Sequence, residues 1–360
     1  MRTARTVSIS PLSRMISAGY PLTWAGCSDA AAAILPRTRA TAPAPATGAS
    51  AAGTTPPPSL SKTTSGARMS SRLCRSPVPA ARRNASRASR AWPGVTTPRG
   101  RRAATCARAR CAIWRTAAGV LPTAISRSAG VDVITGDGLA GALTGARAII
   151  DVTAGPSAGQ RPATEFFTTA AQNLQQAGER AGVARYVVVS IIGIQKAAGG
   201  YGSAKLAHEQ AVLAGPVPAR ILRVAQFHEL VGVLMDMGRQ GDVIYLPKMR
   251  TQIIAARTVA GALAAMATSA PAEFAAARAA ESAGAPVPEL AGPRQENLAS
   301  LARLVAARRG EAVRIEEVTA ADPDSEAAAD GSLLPGPHAE LAGPTFKEWL
   351  ATQPEGGSTA

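Results

Sequence analysis

Tyr186-Val-Val-Val-Ser-Ile191, followed by a run that opens Tyr201-Gly-Ser-Ala-Lys205 and reaches Leu213, followed by Ala219-Arg-Ile-Leu-Arg-Val-Ala225, is the stretch that decides the fold. Its first and last segments are short and β-branched, in the manner of strands buried on both faces, and the segment between them reads as a helix. Strand, helix and strand in this order predict a parallel sheet covered by helices. Outward from it, Val131-Asp-Val-Ile-Thr135 and Ala148-Ile-Ile-Asp-Val-Thr153 read as further strands. Ala163 to Gly182 reads as a helix, with the apolar stripe Phe166, Ala170, Leu174 and Ala177 and a glycine at its C-terminal end. The expected class is α/β, a doubly wound parallel sheet.

Beyond Phe227 the units loosen into a small C-terminal substrate lobe, expected from about residue 228. A strand is expected at Val243–Leu246, a helix from Thr258, a strand at Pro288–Ala291, a helix from Glu296 to Gly310, a strand at Val313–Val318 and a short helix at Thr345–Leu350. Residues 353–360 read as a tail.

Charge divides the chain. The formal charge is +15, yet Met1 to Val120 carries eighteen arginines and one lysine against Asp29 alone, and the remainder is mildly acidic. That first third also holds Cys27, Cys74, Cys106 and Cys111 and proline runs such as Thr55-Pro-Pro-Pro. With few aliphatics and no periodicity it cannot bury enough apolar surface to offset its ordering entropy, so residues 1–120 are expected to be a disordered, low-complexity basic segment. A solvated tail, a nucleic-acid arm, an organellar transit peptide and GC-rich coding DNA read in the wrong frame all fit this composition. Nucleic acid is disfavoured as a partner, because no helix-turn-helix or aromatic-interleaved basic surface accompanies the arginines. Cys106 and Cys111 lack the paired CxxC spacing of a zinc ribbon, and no metal is assigned. Thr6 to Ser17 is broken by Pro11 and Arg14, so it does not form the apolar core of a secretory signal. The longest uncharged run after Val120, Thr258 to Ala272, is too short to span a bilayer. The expectation is a cytoplasmic protein without a membrane partner.

Tyr201 and Lys205 stand four residues apart on one helix face, phenol beside ammonium. A lysine charge there favours the phenolate and lets the tyrosine exchange a proton with an alcohol or carbonyl oxygen. Ser190 ends a strand, where the ligand of an open parallel sheet lies. A hydroxyl that polarises a carbonyl, a phenol that protonates its oxygen and an ammonium that holds a ribose together suit hydride transfer from a nicotinamide.

Gly136-Asp137 after a strand, Asp151-Val-Thr153-Ala-Gly155 at a strand end, Ser190-Ile-Ile-Gly193, Tyr201-Gly-Ser-Ala-Lys205 and Arg223-Val-Ala-Gln-Phe-His-Glu229 form a recognisable series. From about residue 121 to 352 the chain resembles the short-chain dehydrogenase/reductase superfamily, in its atypical NmrA-like branch of NAD(P)-binding proteins, and so implies a Rossmann-like sheet. The resemblance places Asp137 near the adenine, Thr153, Ala154 and Gly155 along the cofactor, and Ala225, Gln226 and Phe227 near the nicotinamide. It makes Ser190, Tyr201 and Lys205 the catalytic set, with Lys205 also on the ribose. Arg127 falls where such a fold reads the ribose 2′ position, which favours NADP and leaves NAD open. One departure stands out. Val95 to Ile125 contains neither the family's first buried strand nor its glycine-rich turn, and a central strand is expected to be missing.

The leading expectation is an NAD(P)-dependent oxidoreductase acting on a small carbonyl or alcohol. The alternative from another class is a non-catalytic NmrA-like sensor that binds the dinucleotide and a protein partner. A third reading is a serine hydrolase using Ser157 in Gly155-Pro-Ser157-Ala-Gly159, with Asp242 and His338 following in order, although Gln160-Arg-Pro162 delays the helix that such an elbow requires. Gly136-Asp-Gly138-Leu-Ala-Gly141 fits a dinucleotide turn by pattern, but too few residues follow before the next strand. His208, His228 and His338 read as structural or exposed, with His228 the exception through its place in the resemblance. The oligomeric state stays open, a homo-oligomer included.

Overall fold

Apolar runs buried on both faces organise the protein, seen here in a computed structural model that describes residues 32–36, 123–154, 160–196, 199–319 and 323–353. Expectations for the rest of residues 1–120, for the Gly155–Gly159 elbow and for the tail beyond 353 lie outside the described residues. Among the described residues the strands are β1 Ala32–Pro36, β2 Thr123–Ile125, β3 Ala146–Asp151, β4 Arg185–Ile191, β5 Ala219–Val224, β6 Arg239–Gln240, β7 Val243–Pro247, β8 Arg250–Thr251, β9 Glu289–Ala291, β10 Glu296–Asn297, β11 Arg314–Val318 and β12 Glu340–Leu341. The helices are α1 Leu139–Leu143, α2 Gln160–Arg180, α3 Gly200–Leu213, α4 Leu230–Gly238, α5 Ala256–Thr268, α6 Pro271–Ser282, α7 Leu298–Arg309, α8 Pro323–Asp330 and α9 Phe346–Ala351.

Seven strands form the main sheet in the order β12-β9-β5-β4-β3-β1-β2. β3, β4, β5, β9 and β12 are parallel. On one face Ile149, Tyr186, Val188 and Ile221 meet Leu174 of α2 and Val212 of α3. On the other, Ile150, Val187, Val189, Leu222 and Val224 meet Val259 and Leu263 of α5 and Phe274 of α6. Successive residues of one strand therefore fill opposite layers, each large side chain contributing roughly 1.5–3 kcal/mol of burial. This is the doubly wound α/β architecture that the alternation of runs implied, Rossmann-like as the resemblance suggested.

A smaller core belongs to the C-terminal region, where Leu234 and Met235 of α4, Leu246 of β7, Leu301 and Val305 of α7, and Phe346 and Trp349 of α9 pack together. A three-stranded sheet, β11-β7-β6, lies beside it in sequence. The lobe is not one continuous piece of chain, because α5, β9 and β12 return to the main sheet.

Three details differ from the sequence reading. Val131–Thr135 is a turn rather than a strand. The Asp132 carboxylate accepts from the backbone nitrogens of Ile134 at 2.7 Å and Thr135 at 3.4 Å, and Asn173 donates to the carbonyls of Val133 and Ile134 at 2.9 and 2.8 Å, so side chains satisfy groups that a ladder would otherwise hold. On α2 the phenylalanine that turns fully inward is Phe167, with Phe166 half-buried at the margin. Finally, the edge of β3 away from β4 is not left unpaired. β1 lies between β3 and β2, antiparallel to both, with Ala32 opposite Asp151 and Ile125 and Ile34 opposite Ile149 and Thr123.

Among the described residues no single helix is long and apolar enough to cross a membrane. α5 and α6 reach that length only as a pair bent by 105°.

Candidate active site

Tyr201, Lys205, His208, Glu209 and Val212 are the buried face of α3, at the spacing of one helical stripe. The helix starts from Gly199, which offers no side-chain cap, and from Gly200 at φ 54°. Its first turn is capped instead from α8, where Asp324 Oδ2 accepts from the backbone nitrogens of Tyr201 at 3.0 Å and Gly202 at 3.5 Å. That contact fixes where Tyr201 enters the protein. The Tyr201 ring, 8% exposed, meets Phe167 edge-on at 5.6 Å.

Ser190 lies near the carboxyl end of β4, fully buried, and its Oγ has no hydrogen-bond partner among the described residues. One residue earlier, the Val189 carbonyl accepts from Lys205 Nζ at 3.1 Å. Lys205 is 1% exposed, lies 4.7 Å from the centre of the Phe167 ring and reaches His208 Nδ1 at 2.9 Å. His208 Nε2 is 3.0 Å from Asp151 Oδ2, and the Tyr186 hydroxyl donates to the same oxygen at 2.5 Å. Thr153 donates to Asp151 Oδ1 through its backbone nitrogen at 2.8 Å and through its hydroxyl.

Each charge in this cluster follows from its surroundings. Burial disfavours the Asp151 carboxylate, yet His208, Lys205 and Thr153 together hold it well below the usual carboxylate range. Burial pulls Lys205 down to about 8, against the opposing charges of Asp151 and Glu209. His208 is pushed down by burial and by Lys205, so it is neutral, while burial and the Asp151 charge push the Tyr186 phenol up and keep it protonated. Beside them, Arg223 of β5 forms a two-pronged pair with Glu209, at 3.0 and 2.7 Å.

The sequence-predicted residues separate into two groups. Ser190, Lys205, Tyr201 and Thr153 gather around β3, β4 and α3, through the contacts just described. Arg127 stands exposed in a 3-10 turn just beyond β2, and Asp137, also exposed, accepts from the Thr135 hydroxyl at 2.8 Å. Ala154 is half-buried after β3, and Gly155 lies outside the described residues. Ala225 is paired into the sheet through its nitrogen to Leu290 O at 3.1 Å. Gln226 accepts from Thr251 Oγ1 at 2.6 Å while its Nε2 has no partner among the described residues, and Phe227 is half-buried in a bridge to Ile254. His228 is buried too. Its Nε2 lies 3.1 Å from Ile253 O, its ring packs edge-on against Phe346 and Trp349, and burial pulls it down to about 4.

Sequence reasoning missed Asp151, Tyr186, His208 and Phe167 as members of the site. Lys205 and His208 do carry a signal, since three residues apart they share a helix face. Asp151 at a strand end is the natural charge to face them.

The two ends of the site differ in how they suit a nicotinamide dinucleotide. At the strand ends of β4 and β5, the partnerless Ser190 Oγ and Gln226 Nε2 are buried polar atoms of the kind that a carbonyl or amide ligand would satisfy. At the position of the pyrophosphate, a parallel first strand would lead into a helix N-terminus. β1 runs the other way, so its first residue, Ala32, lies level with the carboxyl end of β3, and among the described residues no helix opens there. Among the described residues no group of three His, Cys, Asp or Glu side chains is placed to hold a metal.

No protein-family model matches the sequence, and no curated protein matches it. Solved structures with a related course of chain include MoeE5 in complex with UDP-glucose and NAD, at 19% identity over 60% of this chain and 80% of that one, with a TM-score of 0.41. The triphenylmethane reductase of Citrobacter sp. complexed with NADP(H) is 14% identical over 61% of this chain and 78% of that one, with a TM-score of 0.38. The NADPH-dependent quinone oxidoreductase QOR2 of Escherichia coli, complexed with NADPH, is 16% identical over 55% and 71%, with a TM-score of 0.39. Likenesses this loose bear on neither activity nor ligand.

Proposed function

We propose that the protein is an oxidoreductase of the short-chain dehydrogenase/reductase type, of the NmrA-like branch, using NADP in preference to NAD on a small carbonyl or alcohol. One observation carries this reading. The buried, partnerless hydroxyl of Ser190 directly follows the Val189 carbonyl that holds Lys205, and Tyr201 stands one turn before Lys205 on the same buried helix face. The cofactor, when bound, supplies the hydride. Ser190 Oγ donates to the substrate carbonyl and polarises it, the Tyr201 hydroxyl gives its proton to the oxygen as the carbonyl is reduced, and Lys205 keeps a positive charge beside the phenol and offers an N–H to a ribose hydroxyl. Phe167 excludes water from the Lys205 side. Arg127, exposed just past β2, suits a 2′-phosphate and supports NADP.

A second reading is a dinucleotide-binding sensor without turnover; the antiparallel β1, with no helix start beside it among the described residues, weighs on dinucleotide affinity in both readings alike. The test is a fluorescence titration of the full chain with NADPH and then NADH, followed by a carbonyl panel with Tyr201→Phe as control. Saturable binding, with turnover that falls by about 10²- to 10⁴-fold in Tyr201→Phe while binding is kept, is the expected result. Binding without turnover on any carbonyl selects the sensor. Absence of binding by the folded chain overturns both.

A further inference from the structure

Beneath Tyr201 lies a chain of buried groups that, Lys205 apart, the reaction proposed above does not use. Asp151 and Thr153 come from β3 and its end, Tyr186 from β4, and Lys205 and His208 from α3, and none is more than 2% exposed. Phe167 of α2 closes the side, stacked on the His208 ring at 4.8 Å and beneath Lys205 Nζ at 4.7 Å. Glu209, next on α3, is engaged by Arg223 of β5 at 2.7 Å and so forms a separate neutral pair.

With Lys205 as an ammonium, the hydrogen bonds admit one arrangement of protons. An ammonium only donates, so His208 Nδ1 accepts from Lys205; the ring proton then sits on Nε2 and is donated to Asp151. Tyr186 donates to the same carboxylate oxygen. One negative and one positive charge, joined through a neutral imidazole, cancel in a region closed to water. Two hydrogens of the ammonium are committed, to Val189 O and to His208 Nδ1, and one remains.

We propose that Asp151 and His208 are positioning residues for Lys205: through this chain they keep its ammonium charged inside the protein and aim its remaining N–H. The inference rests on the reading of Lys205 as the working partner of Tyr201. It explains how a lysine that burial pushes down still titrates at about 8, and so stays protonated at neutral pH.

The test is made first on the full chain without cofactor. In protein labelled with ¹³C-lysine, the Lys205 Cε signal, assigned by its loss in Lys205→Met, is followed against pH. The expected midpoint is about 8. Asp151→Asn should lower it by about one pH unit or more, and His208→Gln, which retains an acceptor, by less. Imidazole ¹⁵N shifts of the wild type should show His208 neutral with its proton on Nε2. A folded Asp151→Asn protein whose lysine titrates as before overturns the proposal. So does a His208 ring protonated on Nδ1, a measurement that requires no variant to fold. In turnover assays the pH profile of kcat for Asp151→Asn should move with the lysine midpoint. The expected titrations in a protein that turns over no carbonyl would keep the positioning chain and remove the catalytic assignment. Turnover with an unmoved lysine would do the reverse.

Discussion

Asp324 Oδ2 lies 3.0 Å from the backbone nitrogen of Tyr201, a contact made across 123 positions of sequence. The first turn of the helix that carries Tyr201 and Lys205 is therefore capped by a distant segment, in place of the local serine or aspartate that usually does so. Asp324→Ala should cost about 1 kcal/mol in chemical denaturation and lower kcat. Asp324→Asn, which retains an acceptor oxygen, should recover most of both. Gly200→Ala should be worse, because Gly200 sits at φ 54° and a methyl group there meets the Asp324 carboxylate.

The Glu209–Arg223 pair is nearly dry, with side chains 4% and 10% exposed, whereas Arg161–Glu165 is open to solvent at 89% and 64%. Glu209→Gln leaves a buried guanidinium without its counter-charge and should cost about 3–5 kcal/mol in urea unfolding. Glu165→Gln should change stability by less than about 1 kcal/mol. Equal effects of the two substitutions would contradict this account.

Stability should fall as pH drops from 6.5 toward 4. His228 is held near 4 in the folded chain against 6.5 for the free side chain, so in that window the unfolded state binds the extra proton. The loss attributable to His228 is at most about 3 kcal/mol. Thermal midpoints of wild type and His228→Phe, compared at pH 7 and pH 4.5, measure it: the variant should be the less sensitive to acid.

Removal of residues 1–38 takes away β1, which opens one edge of β3 and leaves β2 without its partner. Exposed unpaired edges recruit other chains. The truncated protein should aggregate, read by light scattering and size-exclusion chromatography. Ala33→Pro, which removes one ladder donor from a strand paired on both sides, should act in the same direction more mildly.

Much of the fold was legible because local signals agreed with it. Tyr186–Ile191 and Ala219–Val224 are β-branched runs with no room for another reading, and α7 is bracketed by Asn297, which caps Ser300 N at 3.2 Å, and by Gly310 at φ 66°. Thr345 and Glu348 announce α9 through a capping box. What stayed hidden has a common cause, because non-local contacts leave no periodic trace. Val131–Thr135 carries strand residues, yet Asp132 and Asn173 satisfy its backbone as a turn. Pro271, which looks like an interruption of an alanine-rich helix, opens α6 at the position where proline is tolerated. β1 arises within a segment whose composition gave no sign of a strand. Of the site, Ser190, Tyr201 and Lys205 were visible by type and spacing, while the partnership of Asp151 with His208, 57 positions apart, is made only by the crossover from β3 to α3.

The reversed strand also sets an order of assembly. Ala32 leaves the ribosome roughly 120 residues before Asp151, its neighbour in the sheet, which at bacterial-like synthesis rates is a wait on the order of ten seconds. Closing so long a loop costs entropy that only the finished neighbours repay. A strand paired on both sides is thus made early and seated late, and the nascent chain must carry it unmatched through about a third of its own translation.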